Sequence, residues 1–305
     1  MLVTQIQMEY HRPVLLTETV AGLNIQPNGV YVDVTFGGGG HSQEILKHLG
    51  ENGKLIAFDQ DKDALKNAID DPRFLLINEN FRHLKRFLRF YGYKEVDGIL
   101  GDFGVSSHQF DAPERGFSTR FEAHLDMRMN TDSPVSAYQV INHYSESDLR
   151  NVLFQYGELR SAKGMARVIV EARTQQPIKS SSQLKEALGR FLPGHKENKI
   201  LAQIYQAVRI EVNQELDALK EFLIQTPEVL KSGGRLSLIS YHSLEDRLVK
   251  RFMRNGLFQG EAEKDVFGRV EVPFRLVGKF VIPSEEEIKN NNRARSAKLR
   301  VAEKL

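Results

Sequence analysis

The stretch Val30-Tyr31-Val32-Asp33-Val34-Thr35-Phe36-Gly37-Gly38-Gly39-Gly40-His41-Ser42 decides how the chain is read. A β-rich run meets four consecutive glycines and then residues that suit a helix. Glycine lets backbone pass close to a ligand and takes dihedrals that other residues resist. The N–H groups of the following helix then face whatever fills the space. Nineteen residues after Gly40, Asp59 closes a second apolar run, Lys54-Leu55-Ile56-Ala57-Phe58. A carboxylate there can accept both hydroxyls of a ribose. Loop and acid together imply an adenosine-type ligand at the carboxyl ends of parallel strands.

The glycines do not follow the dinucleotide fingerprint. With Gly37 and Gly39 as its first two glycines, Ser42 takes the third place; with Gly38 and Gly40, Gln43 does. Asp33 stands just before the loop, and an acid there suits a positively charged ligand better than a pyrophosphate. S-adenosyl-L-methionine carries an ammonium and a sulfonium. The competing reading is a flexible turn.

Outward from the loop, strands and helices alternate. Residues 42–49 and 61–68 read as helices, the second with Asp61 as N-cap. Residues 74–77 read as a strand, 81–91 as a basic amphipathic helix and 96–102 as a fourth strand. Such alternation argues for βαβ units and a parallel sheet. Residues 103–120, rich in Gly, Ser, Asp and Pro, read as a long functional loop. Residues 134–210 read as helical, including 147–154, 161–173 and 182–191, and a long helix follows over 212–223. Ser232-Gly233-Gly234 then turns into a strand over 235–240, with a helix over 244–254 and late strands at 272–276, 279–282 and 298–302. The expected organisation is a sheet domain over 1–111 and 211–305, interrupted by a helical domain over 112–210.

The 305 residues are 41% apolar and 27% charged, enough for a hydrophobic core and unlike a disordered chain. There is no cysteine, which excludes disulfides, thiolate metal sites and a cysteine nucleophile. No apolar run reaches membrane-spanning length, and no basic segment leads into an apolar run at the N-terminus, so the expected location is the cytoplasm. Net charge is only +2. Two local basic runs stand out: Arg82, Lys85, Arg86, Arg89 and Lys94, and the tail Lys289, Arg293, Arg295, Lys298, Arg300 and Lys304 with Glu303. They suit either a phosphate-bearing partner or solvated helix faces.

Several segments carry a specific resemblance. They are the glycine loop from Tyr31 to Ser42, Asp97-Gly98-Ile99-Leu100-Gly101-Asp102-Phe103-Gly104-Val105-Ser106-Ser107-His108-Gln109-Phe110-Asp111 continuing to Ser118, Leu125-Asp126-Met127-Arg128-Met129, Ser240-Tyr241-His242-Ser243-Leu244-Glu245-Asp246-Arg247 and Arg293-Ala294-Arg295-Ser296. In this order they resemble the bacterial 16S ribosomal RNA (cytosine-N4)-methyltransferases of the RsmH/MraW family, over nearly the whole chain. The resemblance implies a class I S-adenosyl-L-methionine-dependent methyltransferase, with a Rossmann-like, mostly parallel sheet and an inserted all-helical domain. It implies cofactor contacts at Gly39, Gly40, His41, Asp59, Phe81, Asp102 and Gln109. Its expected substrate is the N4 amine of a decoding-centre cytidine in 16S ribosomal RNA, within the small ribosomal subunit. Two positions depart from the family, Gly38 and Gln203, where arginines are usual.

The N4 amine of cytosine is a poor nucleophile, so positioning in line with an activated methyl is the expected task. An acceptor for the N4 hydrogens would help, and Asp102 is the best catalytic candidate. Methylation at C5 normally requires a cysteine and is excluded. Phe103, Phe110, Phe117 and Phe121 are either bases' stacking partners or loop anchors. Arg115, Arg120 and Arg128 either grip phosphate or pair internally. His41 either reaches the cofactor carboxylate or caps the first helical turn, and His242 is either a substrate contact or a hydrogen-bonded structural histidine. His11, Arg12 and Pro13 suggest an N-terminal arm near the cleft. No metal site is expected, and the chain is expected to be a monomer or homodimer. The alternatives are a non-catalytic RNA-binding assembly factor on the same fold and a nucleotide-cofactor oxidoreductase.

Overall fold

Residues 13–260 and 271–305 are described by the computed structural model, so the expected arm at His11 and Arg12 lies outside the described residues. In chain order the elements are α1 (Leu16–Gly22), β1 (Val30–Asp33), α2 (Gly40–His48), β2 (Lys54–Phe58), β3 (Phe74–Ile77), α3 (Leu84–Phe90), β4 (Val96–Asp102), α4 (Ser107–Asp111), α5 (Ala137–His143), α6 (Glu146–Gln155), α7 (Ala162–Gln175), α8 (Ser181–Ala187), α9 (Glu197–Asn213), α10 (Glu215–Val229), β5 (Leu230–Ser240), α11 (Ser243–Asn255), β6 (Phe274–Leu276), α12 (Glu285–Asn290) and β7 (Lys298–Lys304). Contacts divide the chain into two units: Met1–Asp59, Ala64–Gly104 and Phe222–Leu305 form one, and Gln60–Asp63 with Val105–Glu221 the other. The second unit is wider than the 112–210 span expected. The polar contacts of Asp61 and Asp63 with Arg115 bind residues 60–63 into it.

The first unit holds a seven-stranded sheet in the order β3-β2-β1-β4-β5-β7-β6. β1 to β5 pair in parallel, whereas β7 runs antiparallel to β5 and β6. Parallel strands covered on both faces need apolar residues at every position, which explains continuous runs such as Leu55-Ile56-Ala57-Phe58, all buried. On one face Val20 of α1, Leu23 just after it, and Ile45, Leu46 and Leu49 around α2 pack with Tyr31, Leu55 and Leu100. On the other, Phe58 meets Phe87 of α3 edge-on at 6.3 Å. Helices on both faces make this a doubly wound sheet. Its order reverses between β1 and β4, and ligands bind at the strand carboxyl ends beside such a reversal.

Details differ from the sequence reading. Residues 62–67 form a 3-10 helix, with Asp61 capping it through the Asp63 N–H. The 81–91 helix starts as a 3-10 turn at Phe81–His83 before α3. The Gly233 turn lies within β5, where the pairing with β4 shifts register. Residues 279–282 contribute only a bridge from Val281 to Leu299.

The second unit is helical. α9 buries Leu201, Ile204, Tyr205, Val208 and Val212, a stripe at helical spacing, into a core shared with Leu149, Val152 and Leu153 of α6 and Met165, Ala166 and Ile169 of α7. Gln214 takes a left-handed conformation between α9 and α10. The 103–120 segment, expected as a loop, contains α4 and a 3-10 turn at Pro113–Arg115.

Candidate active site

The glycine loop links β1 to α2 at the carboxyl edge of the sheet. Gly39 sits at φ +77° as the residue before α2, and a Cβ there would meet the Phe36 ring at 2.9 Å. At Gly40 a Cβ would lie 2.2 Å from Pro13 Cγ. Gly38 differs: it is exposed, and a Cβ there would meet nothing within 4 Å. The first helical bond runs from Gln43 N–H to the Gly39 carbonyl, so Gly40, His41 and Ser42 have no N–H acceptor within the helix.

Two acids frame this loop differently. Asp33 is fully buried and serves the loop itself: its Oδ2 accepts Ser42 Oγ–H at 2.7 Å and its Oδ1 accepts the Thr35 N–H at 3.0 Å. That corrects the expectation of a carboxylate facing a cationic ligand. Burial raises its pKa to about 6 against the opposing hydrogen bonds from Ser42 and Thr35. Asp59 ends its strand as expected and accepts the Gly37 N–H through Oδ2 at 2.7 Å.

Asp102 ends β4, opposite Ile239 of β5. Its N–H donates to Thr35 Oγ1 at 2.6 Å, which ties the strand end to the loop. Its Oδ1 accepts the hydroxyl of Tyr241 at 2.8 Å, and its Oδ2 lies 3.9 Å from His41 Nδ1. A fifth of its side chain, 21%, stays accessible. Burial raises the Asp102 pKa to about 7, with Asp33 and Glu245 adding to it and the Tyr241 hydroxyl opposing. Among the described residues the carboxylate has no cation beside it, and one side of it stays open. Tyr241 was not singled out by the sequence, although an aromatic directly after β5, at the same sheet edge, was the available signal.

The MraW methylase family matches residues 8–305. A protein of Flavobacterium johnsoniae named ribosomal RNA small subunit methyltransferase H is 67% identical over 298 residues, covering 98% of this chain and 99% of that protein. One of Christiangramia forsetii, with the same name, is 67% identical over 300 residues, covering 98% and 99%. The chain belongs to the MraW methylase family. It is a methyltransferase whose methyl donor is S-adenosyl-L-methionine. Among solved structures it is similar to TrmN from Thermus thermophilus, at 14% identity and a TM-score of 0.44, covering 95% of this chain and 48% of that one.

The remaining expected residues of the methylase fall into place unevenly. Phe81 follows β3 and packs against Phe103 at 5.6 Å and Phe222 at 5.5 Å, with part of its surface left open. His41 does not cap α2; its ring is buried and its Nε2 donates to the Val14 carbonyl at 3.2 Å. That bond puts the proton on Nε2 and leaves Nδ1 bare toward Asp102. Burial lowers the His41 pKa to about 4, so the ring is neutral at physiological pH. Gln109 belongs to the second unit. It closes a capping box with Ser106, and its Nε2 donates to Asp61 Oδ2 at 2.7 Å.

For the methylase the structure decides several of the alternatives left open between substrate contact and structural role. Arg115 is buried, bound to Asp61 at 2.8 Å and Asp63 at 3.0 Å and to the carbonyls of Arg128 and Met129. Arg128 pairs with Asp126 at 2.7 Å, leaving Arg120 as the exposed cation of the three. Phe103 and Phe117 are buried, Phe110 packs on the helical core, and Phe121 is exposed. His242 caps α11 by accepting the Glu245 N–H. In the tail, Lys298 and Arg300 pair with Asp246. Gln203 donates to the Gly157 carbonyl at 2.9 Å.

Proposed function

We propose that this methylase transfers a methyl group to the N4 amine of a decoding-centre cytidine in 16S ribosomal RNA, acting in the cytoplasm on the small ribosomal subunit. The observation that carries this reading is the Asp102 carboxyl, held by Tyr241 at the open carboxyl edge of β4, in a chain without cysteine. The name shared by its relatives supports the RNA substrate.

The residues at the edge fit an adenosine-type cofactor. Bare backbone at Gly38 gives close approach, and Asp59, at the end of β2, presents a carboxylate for the ribose hydroxyls. The free N–H groups of Gly40 and His41, at the start of α2, receive the cofactor carboxylate. His41 thus takes part through its backbone. Phe81 offers an aromatic face for the base. Gly39 shapes the loop by its left-handed turn. Gln109 stays in the set by family resemblance, since its amide is engaged by Asp61.

Bound S-adenosyl-L-methionine supplies a methyl carbon activated by its sulfonium. The chain's own contribution is at Asp102. Ionised, this carboxylate only accepts hydrogen bonds, so it receives an N4–H of cytosine and repels the O4 of uracil. Holding the hydrogen favours a pyramidal nitrogen with an available lone pair, and the carboxylate then takes the proton that N4 loses. A pKa near 7 suits that transfer. Tyr241 fixes one oxygen so that the other faces the opening.

The test uses small subunits from a strain lacking this protein. Incubation with the wild-type chain and labelled cofactor is expected to yield N4-methylcytidine by nucleoside mass analysis, and Asp102→Ala is expected to yield almost none. A methyl group on another nucleoside or another atom overturns the reading. So does a protein that binds subunits but transfers nothing, which is the assembly-factor alternative.

A further inference from the structure

The basic run after β3 is not used by the site above. α3 buries Leu84 and Leu88, sets Phe87 against Phe58, and is held from the side by Gln225, which accepts the Lys85 N–H at 2.8 Å. Its outward side carries Arg86, Arg89 and Phe90, followed by Tyr91 and Lys94. Lys85 is neutralised by Glu228. Among the described residues Arg86, Arg89 and Lys94 have no carboxylate partner, and Arg86 lies over the Phe87 ring at 5.7 Å. Phe90 is 77% exposed and Tyr91 43%, and the two rings meet edge-on at 5.1 Å.

An apolar ring this open costs solvation and earns no packing. Unpaired cations beside open aromatic rings match single-stranded RNA, whose bases stack on the rings while phosphates meet the cations. The run contains no acid from 81 to 94 to repel such a partner. Its position sets the range. The turn after α3 leads into Val96, the first residue of β4, whereas Asp102 is the last. At about 3.3 Å per residue these ends stand about 20 Å apart, so the turn is out of reach of the target nucleotide.

We propose that the outward side of α3 and the Phe90–Tyr91 turn form an auxiliary RNA-docking surface, which stacks an unpaired nucleotide remote from the methylated one and grips its flanking phosphates through Arg86, Arg89 and Lys94. The inference rests on the reading of ribosomal RNA as substrate and adds where a second segment of it is held.

The experiment measures equilibrium binding of small ribosomal subunits from a strain lacking this protein, with the methyl-transfer KM and kcat alongside. The variants are Phe90→Ala with Tyr91→Ala, and separately Arg86→Glu with Arg89→Glu. The aromatic pair is expected to weaken subunit binding and raise KM about tenfold, the effect of losing one stacked base. The charge pair is expected to do the same and to flatten the salt dependence. Cofactor affinity, saturated kcat and thermal unfolding are expected to stay as in the wild type. Unchanged subunit binding in both variants overturns the proposal, as does a change in oligomeric state by sedimentation, which would make this a protein–protein contact. Binding is read without catalysis, so a wild-type chain that binds subunits through this surface but methylates elsewhere defeats the proposed activity alone.

Discussion

Two groups of carboxylates in this protein meet opposite treatment. In the helical unit, Asp61 and Asp63 converge on Arg115, whose guanidinium also satisfies two backbone carbonyls. At the sheet edge, Asp33 accepts the Ser42 hydroxyl and the Thr35 N–H, Asp102 accepts the Tyr241 hydroxyl, and burial raises both above the usual carboxylate range. A buried acid given a cation fixes the chain in place. One held by neutral hydrogen-bond donors alone keeps its charge uncompensated, a cost to the fold, and of the two only Asp102 keeps a side where a ligand can meet that charge.

The sharpest way to break this comparison is Asp102→Ala. Its kcat is expected to fall by roughly 10²–10³-fold, the usual loss for a positioned acceptor, in a labelled methyl-transfer assay. A fall below threefold would put Asp102 among the structural acids. Next comes Arg115→Ala, which strands Asp61 in a buried setting. Urea unfolding is expected to show a loss of about 3–5 kcal/mol, the cost of breaking a buried pair from one side.

The opposite sign is expected at the edge. Asp102 has a folded pKa of about 7 against 3.8 for the free group, so its ionisation costs the fold nothing below pH 3.8 and the full penalty above pH 7. Asp102→Asn is therefore expected to stabilise the protein at pH 8 by roughly 1–3 kcal/mol, after allowance for partial exposure, and to have no effect near pH 3. A destabilised variant at pH 8 would contradict the electrostatic account. Tyr241→Phe removes the hydroxyl that favours the ionised carboxylate. The rising limb of kcat/KM against pH is expected to move upward by about one unit, with activity recovered at high pH. A uniform loss at every pH would reduce Tyr241 to packing.

The smallest effect belongs to the glycines. Gly39→Ala is expected to cost about 1–2 kcal/mol, because its left-handed backbone resists a Cβ. Gly38→Ala is expected to stay within about 0.5 kcal/mol, since its Cβ position is open. Equal losses at both positions by thermal unfolding would show that the whole loop, and not one dihedral, is strained.

How far the sequence carried depends on whether the signal was local. The loop and Asp59 were legible because a strand–glycine–helix transition and an acid at a strand end are written in adjacent residues. Asp33 was legible as important and misread in role. Its sequence place puts it before the loop, but only packing shows that Ser42 and Thr35 consume its oxygens. Tyr241 and Asp102 are 139 residues apart and meet because β4 and β5 pair in parallel. Arg115 stayed open between a phosphate grip and an internal pair, since an isolated arginine reads the same whether it faces RNA or a buried aspartate.

By itself, the sequence determined a parallel sheet with a helical interruption, a glycine loop paired with an acid at the end of the next strand, and a chemistry without thiols. These follow from period, spacing and composition, which need no knowledge of distant neighbours. Tertiary structure alone decided the antiparallel β7, the ownership of residues 60–63 by the helical unit, and which acids keep an uncompensated charge. The reason is that a carboxylate's protonation and reach depend on burial and on partners brought from remote segments, and no local pattern records either.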